Sequence, residues 1–468
     1  MDKVIKSLKE AIELCGVKSG MTVSFHHHLR NGDFVLNMVM DELANMGIKD
    51  LTVNASSVFD CHAPLVEHIK NGVVSHLCCN YMAAGVGRAI SHGVMENPVE
   101  FRTHGGRPAD ISTGKTPIDV AFIAAPTSDT MGNCTGKLGK SACGSLGYAF
   151  ADAMYAKKVV VLTDNLVPYP LTERSIDETY IDYVVPVDAI GDPAGIVSGT
   201  TRITRDPVGL VMAQTAARAI EASGLLKDGF SFQTGAGGAS LATAKYLKEI
   251  MLRDNIHGSY GLGGITGYMV NMLEAGCFQK LLDVQCFDLT AVESIRKNPN
   301  HSEVSAMHYA SPAAKSAAVD SLDVVILGAT EVDTSFNVNV HTDSNGSIMG
   351  GSGGHSDTAA GAKMAMIIAP LSRARLPIVT DRVQCISTPG STIDVLVTQR
   401  GVAVNPARED LKKAFLDAKL PVCDIEELKA RAEAICGKPC PVRHGNKVVA
   451  NVIYRDGTLI DQIYSVAD

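Results

Sequence analysis

Apolar residues along this chain gather in short unbroken runs separated by polar or glycine-containing turns. In the first half the runs are "LTVNAS" from Leu51, "VVSHL" from Val73, "VEFRTH" from Val99, "DVAFIAAP" from Asp119 and "KKVVVLTD" from Lys157. The second half offers "SYGLGG" from Ser259, "LLDVQCF" from Leu281, "DVVILG" from Asp323, "MAMIIAP" from Met364 and "DVLVTQ" from Asp394. Runs that lack the alternation of a half-exposed strand predict strands covered on both faces, hence a largely parallel sheet. Helical stretches lie between several of them, as in "FVLNMVMDELANMG" from Phe34 and "PLVEHIKNG" from Pro64. The opening "MDKVIKSLKEAIELCG" sets Val4, Ile5, Leu8, Ala11, Ile12 and Cys15 at helical spacing, with Gly16 to end the helix. Near the other end, "NVIYRDGTLIDQIY" carries Asp456-Gly457 between β-rich runs and predicts a hairpin. The fold class expected is α/β, with open, largely parallel sheets and helices on their faces.

One stretch recurs. "AIELCGVKSGMTVSF" from Ala11 and "AIEASGLLKDGFSF" from Ala219 both read as a helix end, A-I-E-x-x-G, a polar turn, a glycine and a strand ending in Ser-Phe. Each strand then enters a polar or glycine-rich loop, "HHHLRNGD" or "QTGAGGAS". Two related domains in tandem are therefore expected, at 1–215 and 216–468. The length of 468 residues, more than one core normally organises, points the same way.

Composition narrows the partners. Net charge is 42 − 50 = −8 and no lysine or arginine run occurs, so nucleic acid and anionic membranes are not expected as partners. No segment reaches the roughly 18 continuous apolar residues of a membrane span, and charges interrupt every apolar stretch near the N-terminus, unlike a signal peptide. The 12 cysteines sit inside apolar runs or abut, as Cys78 and Cys79 do, and form no C-x-x-C; Cys436 and Cys440 have no histidine pair beside them. Reduced thiols and a cytoplasmic location follow as expectations.

Open parallel sheets bind ligands at the carboxyl ends of their strands, so the loops there hold the candidate chemistry. "QTGAGGAS" opens a helix and offers backbone N–H groups, with Gln233, Gly237 and Gly238 in reach of an anion. It superficially suggests a dinucleotide loop, but the third glycine falls on Ser240 and no acid ends the next strand. A turn without a ligand is the plainer alternative. "GGSGGHSDTAAGAK" is the densest glycine cluster; Gly353, Gly354 and His355 lie in it, either near a ligand or in a lid. "FRTHGGRP" puts His104 and Arg107 in one loop, a carboxylate grip. Glu331 and Asp333 follow "DVVILG" and project to one side, as site residues or as solvated charges. His26, His27 and His28 make poor shared metal ligands, and no zinc or triad spacing is found, so no metal is expected. The turn "LGGITGYMVN" contains Gly264 and Thr266 but no charged, cysteine or histidine side chain.

Taken in order, "GMTVSFHHHLRNGD", "FDCHAPLVEHI", "HGGR", "CGSLGYA", "QTGAGGASLA", "LGGIT", "RKNPNH", "FNVNV", "GGHSDTA" and "GVAVNPAR" resemble the α chains of bacterial citrate lyase over essentially the whole length. The chain is similar, more distantly, to acetyl-CoA hydrolases/transferases and 4-hydroxybutyrate CoA-transferases. The resemblance implies two tandem domains of CoA-transferase type. In the distant relatives the turn matching "GGITGYM" carries a nucleophilic glutamate; Tyr268 stands at that position here. For the citrate lyase family the implied reaction is acetyl-carrier plus citrate giving citryl-carrier plus acetate. A citrate carboxylate attacks the acetyl thioester directly, through a mixed acetyl-citric anhydride. The implied partners are citrate, an acyl-carrier (γ) subunit with a phosphoribosyl-dephospho-CoA arm, and a β subunit that cleaves citryl-carrier; no cofactor is bound by this chain, and CoA esters serve as analogues. On that scheme Gly237, Gly238 and Gly264 are the candidate oxyanion donors. His104, Arg107, Gln233, Thr266, Gly353, Gly354 and His355 are the candidate substrate contacts, and Glu331 is the candidate for an unrecognised nucleophile. An acyl-CoA hydrolase, a glutamate-dependent transferase and a non-catalytic scaffold of the lyase complex are the competing readings.

Overall fold

The computed structural model of the chain describes residues 3–197 and 202–467. The unbroken apolar runs become strands buried along their whole length, as Val120–Ala124, Val324–Leu327 and Met364–Ile368 are. Helices cover both faces of a parallel sheet, so no strand face needs polar residues.

Two large sheets form, and seven strands of each follow one order. In the first, that order runs Val99–Phe101, Val74–Cys79, Leu51–Ala55, Thr22–Phe25, Val120–Ala124, Lys158–Thr163, Tyr183–Pro186, all parallel. In the second it runs His301–Glu303, Phe278–Cys286, Gly258–Ile265, Ser231–Thr234, Val324–Leu327, Met364–Ile368, Val395–Thr398, again all parallel. Strand entries are pinned alike in both. Asp119 accepts from Thr22 N at 2.8 Å and pairs with Lys157; Asp323 accepts from Ser231 N at 2.8 Å and pairs with Lys363. The duplication expected from fourteen or so letters thus extends to strand order and to individual bonds.

Three details depart from the sequence reading. The first helix starts only at Leu8, capped by Ser7, because Val4 forms a bridge with Val184 instead. The expected division at 215/216 falls inside helix Pro207–Ala222, which Asp206 caps and which packs on helix Gly238–Arg253 of the second unit. The last hairpin, His444–Ile453 and Leu459–Val466, leaves the second unit and extends the first sheet beside Val99–Phe101. An open sheet edge needs a cover, and that hairpin supplies it.

The carboxyl ends of the two sheets face each other. Gln285 Nε2, at the end of Phe278–Cys286, donates to the carbonyl of His27 at 2.9 Å, just beyond Thr22–Phe25. Ala306 N donates to Gly147 O and Leu146 N donates to Glu303, so further loops of the two halves interlock. In each sheet the chain reverses its direction of growth between the first and fifth strands in chain order. Crevices at such points are where open α/β sheets bind ligands. Among the described residues, no helix is long and apolar enough to cross a membrane.

Candidate active site

His26, His27 and His28 leave the first switch strand and are all buried. Ala124 N–H donates to His26 Nε2 at 2.9 Å, so a neutral His26 carries its proton on Nδ1, which lies 2.6 Å from His28 Nδ1. His27 shares a 2.6 Å hydrogen bond with Ser56 Oγ. Its ring stacks on Tyr148 at 4.6 Å and on His104 at 5.7 Å, and His104 lies 4.5 Å from Tyr148. Burial keeps these imidazoles neutral. It lowers His26 to about 4, and lowers His104 to about 3 with help from the charge of Arg107; His27 and His28 are held well below the usual value by burial first, then by neighbouring positive groups.

The second half meets this wall through glycines. His104 N donates to Gly353 O at 2.7 Å; Gly353 holds φ +51°, and a Cβ there would stand 3.2 Å from His104 Nε2. On Gly354 a Cβ would sit 2.3 Å from the Tyr309 hydroxyl, to which Gln233 Nε2 donates at 3.0 Å. Gly263, at φ +106°, lies so close to Gln233 that a Cβ would meet its amide carbon at 2.8 Å. The strand register slips between Gly263 and Gly264, and a Cβ on Gly264 would strike the Phe287 ring at 2.3 Å. These glycines are there for close approach, which explains a turn stripped of reactive side chains.

His104 Nδ1, Gln233 Oε1 and Thr266 Oγ1 are buried with no hydrogen-bond partner among the described residues. Unsatisfied buried polar atoms are costly, and three of them border the same turn and loop glycines. Thr266 is the N-cap of helix Gly267–Glu274, whose second residue is the half-buried Tyr268. Arg30 stands at the edge of this cluster. Its guanidinium lies 4.7 Å from the centroid of Phe287 and 5.6 Å from that of Phe59, whose ring in turn neighbours His27.

Several expected contacts lie elsewhere. Arg107 is 4% exposed and spent: Nε donates to Asn54 Oδ1 at 2.7 Å, and the two Nη atoms hold Asp152 at 2.8 and 2.6 Å. It props the first half internally and offers no carboxylate grip. Both nitrogens of His355 are also engaged, with Thr388 Oγ1 at 2.8 Å and Gly328 O at 2.9 Å, and burial lowers it to about 4. Glu331 Oε2 accepts from Asn339 Nδ2 and Gln384 N, at the wall of a separate 630 Å³ cavity with Arg375, Arg382 and Lys438. No hydrogen bond among the described residues joins Glu331 to the histidine cluster. Gly237 caps helix Gly238–Arg253, and a Cβ on Gly238 would press on Arg202 O and Thr204 N. So the structure gathers His104, Gln233, Gly264, Thr266, Gly353 and Gly354, and sets Arg107, His355 and Glu331 apart. Sequence reasoning missed His27, Tyr148, Tyr309 and Arg30. The His26–His28 triplet is visible in the sequence, where adjacency argues against a shared metal and gives no sign of a stacked wall.

Metal-type ligands do converge once among the described residues. Asp283, Cys286 and His301 bring one ligand atom each within 4.8 Å of one another, all buried. Asp283 Oδ2 already bonds Cys286 Sγ at 3.0 Å and His301 Nε2 at 2.9 Å, His301 Nδ1 meets Ser294 Oγ at 2.9 Å, and Asp283 Oδ1 is buried without a hydrogen-bond partner among the described residues.

A model of the family described as "Citrate lyase, alpha subunit" matches residues 1–466. The chain belongs to the citrate lyase alpha-subunit family. The citrate lyase alpha chain of Haemophilus influenzae is 52% identical over 466 residues, covering 100% of this chain and 93% of the relative. That of Escherichia coli K12 is 48% identical, covering 100% and 91%. A Streptococcus mutans structure described as the citrate lyase alpha subunit in complex with citrate superposes with a TM-score of 0.98 at 52% identity, covering 100% of this chain and 92% of that one. A malonate decarboxylase alpha subunit from Acinetobacter baumannii shares the fold alone, with a TM-score of 0.69 at 17% identity, covering 93% and 89%. As a citrate lyase alpha chain, this protein is the citrate CoA-transferase subunit of a multi-subunit lyase.

Proposed function

We propose that the chain moves the acyl-carrier thiol from acetyl to citrate by direct attack, with no thioester on the protein. A citrate carboxylate oxygen adds to the acetyl carbonyl, and the carbon–sulfur bond breaks to give the acetyl-citric anhydride and a thiolate. The thiolate then adds to the citryl carbonyl, and acetate leaves. Charge and atoms balance without a net proton transfer, so the protein needs no strong acid or base. Its tasks are to hold two reactants together and to stabilise two tetrahedral oxyanions.

The observation that carries this reading is the unsatisfied Gln233 Oε1 beside Gly263, with Tyr309 at the other end of the amide. A phenol hydroxyl both donates and accepts. Turning the Gln233 amide over lets Tyr309 donate to Oε1 and aims the NH2 group at the turn, where an oxyanion would form. The peptide N–H of Gly264 is a second candidate donor. Neutral imidazoles suit an anionic substrate that must not be protonated: a protonated carboxyl group is a poor nucleophile. The natural thiol donor in this reading is the acyl-carrier subunit with its phosphoribosyl-dephospho-CoA arm, and a partner β subunit consumes the citryl product.

The experiment is to mix the chain with acetyl-CoA and citrate, follow citryl-CoA by mass spectrometry, and weigh the intact chain during turnover. Citryl-CoA with an unmodified chain is expected. A protein-bound acyl or CoA adduct would overturn the direct route.

A further inference from the structure

We infer that Arg30 grips a carboxylate of the incoming tricarboxylate. This rests on the reading of citrate as substrate and names the cation that the sequence-expected Arg107 does not provide.

Four other buried or half-buried arginines of the described residues are paired. Arg102 meets Glu100 and Asp110, Arg107 meets Asp152, Arg408 meets Asp394 and Asp410, and Arg455 faces Asp320 and Asp357. Among the described residues the Arg30 guanidinium makes a single hydrogen bond, from Nη1 to Ile196 O at 3.2 Å, and has no carboxylate partner. Phe287 and Phe59 lie against its guanidinium, a contact made by the ring faces that leaves the N–H donors of the fork to other partners. A half-buried guanidinium with no carboxylate of its own is a place where an anion arriving from outside gains an ion pair. The backbone adds a second sign: Arg30 holds φ +52°, a left-handed conformation that costs a non-glycine residue and that gathers at ligand sites.

Position completes the case. Phe287 touches both Arg30 and the space beside Gly264, so the cation and the proposed oxyanion turn share one ring. Phe59 links it to His27 and the stacked imidazole wall. A guanidinium fork there takes one carboxylate through two parallel N–H···O bonds and leaves another carboxylate of the same molecule to attack.

The test is calorimetric titration of citrate into the wild-type chain, Arg30→Gln and Arg30→Lys, with thermal unfolding as the check on folding and acetyl-CoA kinetics alongside. Expected is a rise in citrate Kd and KM on the order of 100-fold for Arg30→Gln. A smaller rise is expected for Arg30→Lys, which keeps the charge without the fork, and an acetyl-CoA KM within about 3-fold of wild type for both. A merely structural role would move both substrates together. Unchanged citrate affinity in Arg30→Gln, or a loss confined to acetyl-CoA, overturns the assignment while the transferase reading stands. Wild-type chain that binds acetyl-CoA and no citrate overturns both.

Discussion

The peptide N–H of His104 donates to the carbonyl of Gly353 across 2.7 Å, so a loop of the first sheet and a loop of the second are joined at the residue whose buried imidazole has an unsatisfied Nδ1. Gly353 occupies a left-handed conformation there, and a Cβ would stand 3.2 Å from His104 Nε2. Gly353→Ala is expected to lower stability by about 1–2 kcal/mol through backbone strain. It should also lower kcat/KM by more than about 10-fold, because an error of an ångström in positioning is costly. Thermal unfolding and steady-state rates check both.

Gln233→Leu removes the proposed oxyanion donor at nearly constant volume. Loss of one such donor costs about 10²–10³ in kcat, with little change in substrate KM. Tyr309→Phe leaves the amide without its anchor and is expected to cost less. A Gln233→Leu chain with wild-type kcat would remove the amide from the mechanism.

Arg107→Met leaves Asp152 buried and unpaired. Breaking one side of a buried pair costs about 3–5 kcal/mol, so a large fall in Tm is expected, with citrate KM unchanged at low temperature where the chain remains folded. Arg107→Met with Asp152→Leu is expected to recover part of the loss. A selective rise in citrate KM would restore Arg107 to the substrate site.

Glu331→Gln keeps an oxygen that accepts from Asn339 and Gln384, so transfer within about 3-fold of wild type is expected. Abolished activity, or a Glu331 thioester trapped by hydride, would make Glu331 the nucleophile.

Stability should fall as pH drops below about 6.5. The unfolded chain binds protons on histidine near that value. In the folded chain burial holds His26 and His355 to about 4 and His104 and His341 to about 3, with His27 and His28 well below the usual value. The unfolded state therefore takes up more protons between about 6.5 and those values, and each histidine contributes a slope of up to about 1.4 kcal/mol per pH unit. Asp357 opposes one of them: burial raises it to about 6 against the bonds from Gly105 and Thr103, so its proton uptake favours the folded state as pH falls from there. His62 acts above this window. Burial works against its charge, but the bond to Asp33 wins and raises it to about 9, a stabilisation fully present below about 6.5 and lost as pH rises through 9. Denaturant midpoints from pH 4 to 9 should show a steep acid limb and a shallow alkaline one.

Much of the architecture is written locally. "DVAFIAAP" and "MAMIIAP" contain no polar position to spare, so they form strands buried on both faces wherever they pair. Asp456-Gly457 makes its hairpin in the same local way, as does the glycine that ends the first helix. The A-I-E repeat announced two like halves, and those halves share strand order as well as letters. The glycines at 263, 264, 353 and 354 could be picked out as positions of close approach, since only a missing Cβ explains so many.

Partnership was beyond the sequence. Nothing in "HGGR" tells that Arg107 turns inward to Asp152, 45 residues on, while Arg30, in a loop read only for its histidines, is left without an acid. Nor do the letters of the last hairpin reveal that it crosses back to the edge of Val99–Phe101. Secondary structure follows from the periodicity of neighbours along the chain. Which cation finds a carboxylate, which amide is left unsatisfied and which edge is covered depend on contacts between residues tens to hundreds of positions apart, and only the tertiary packing decides them.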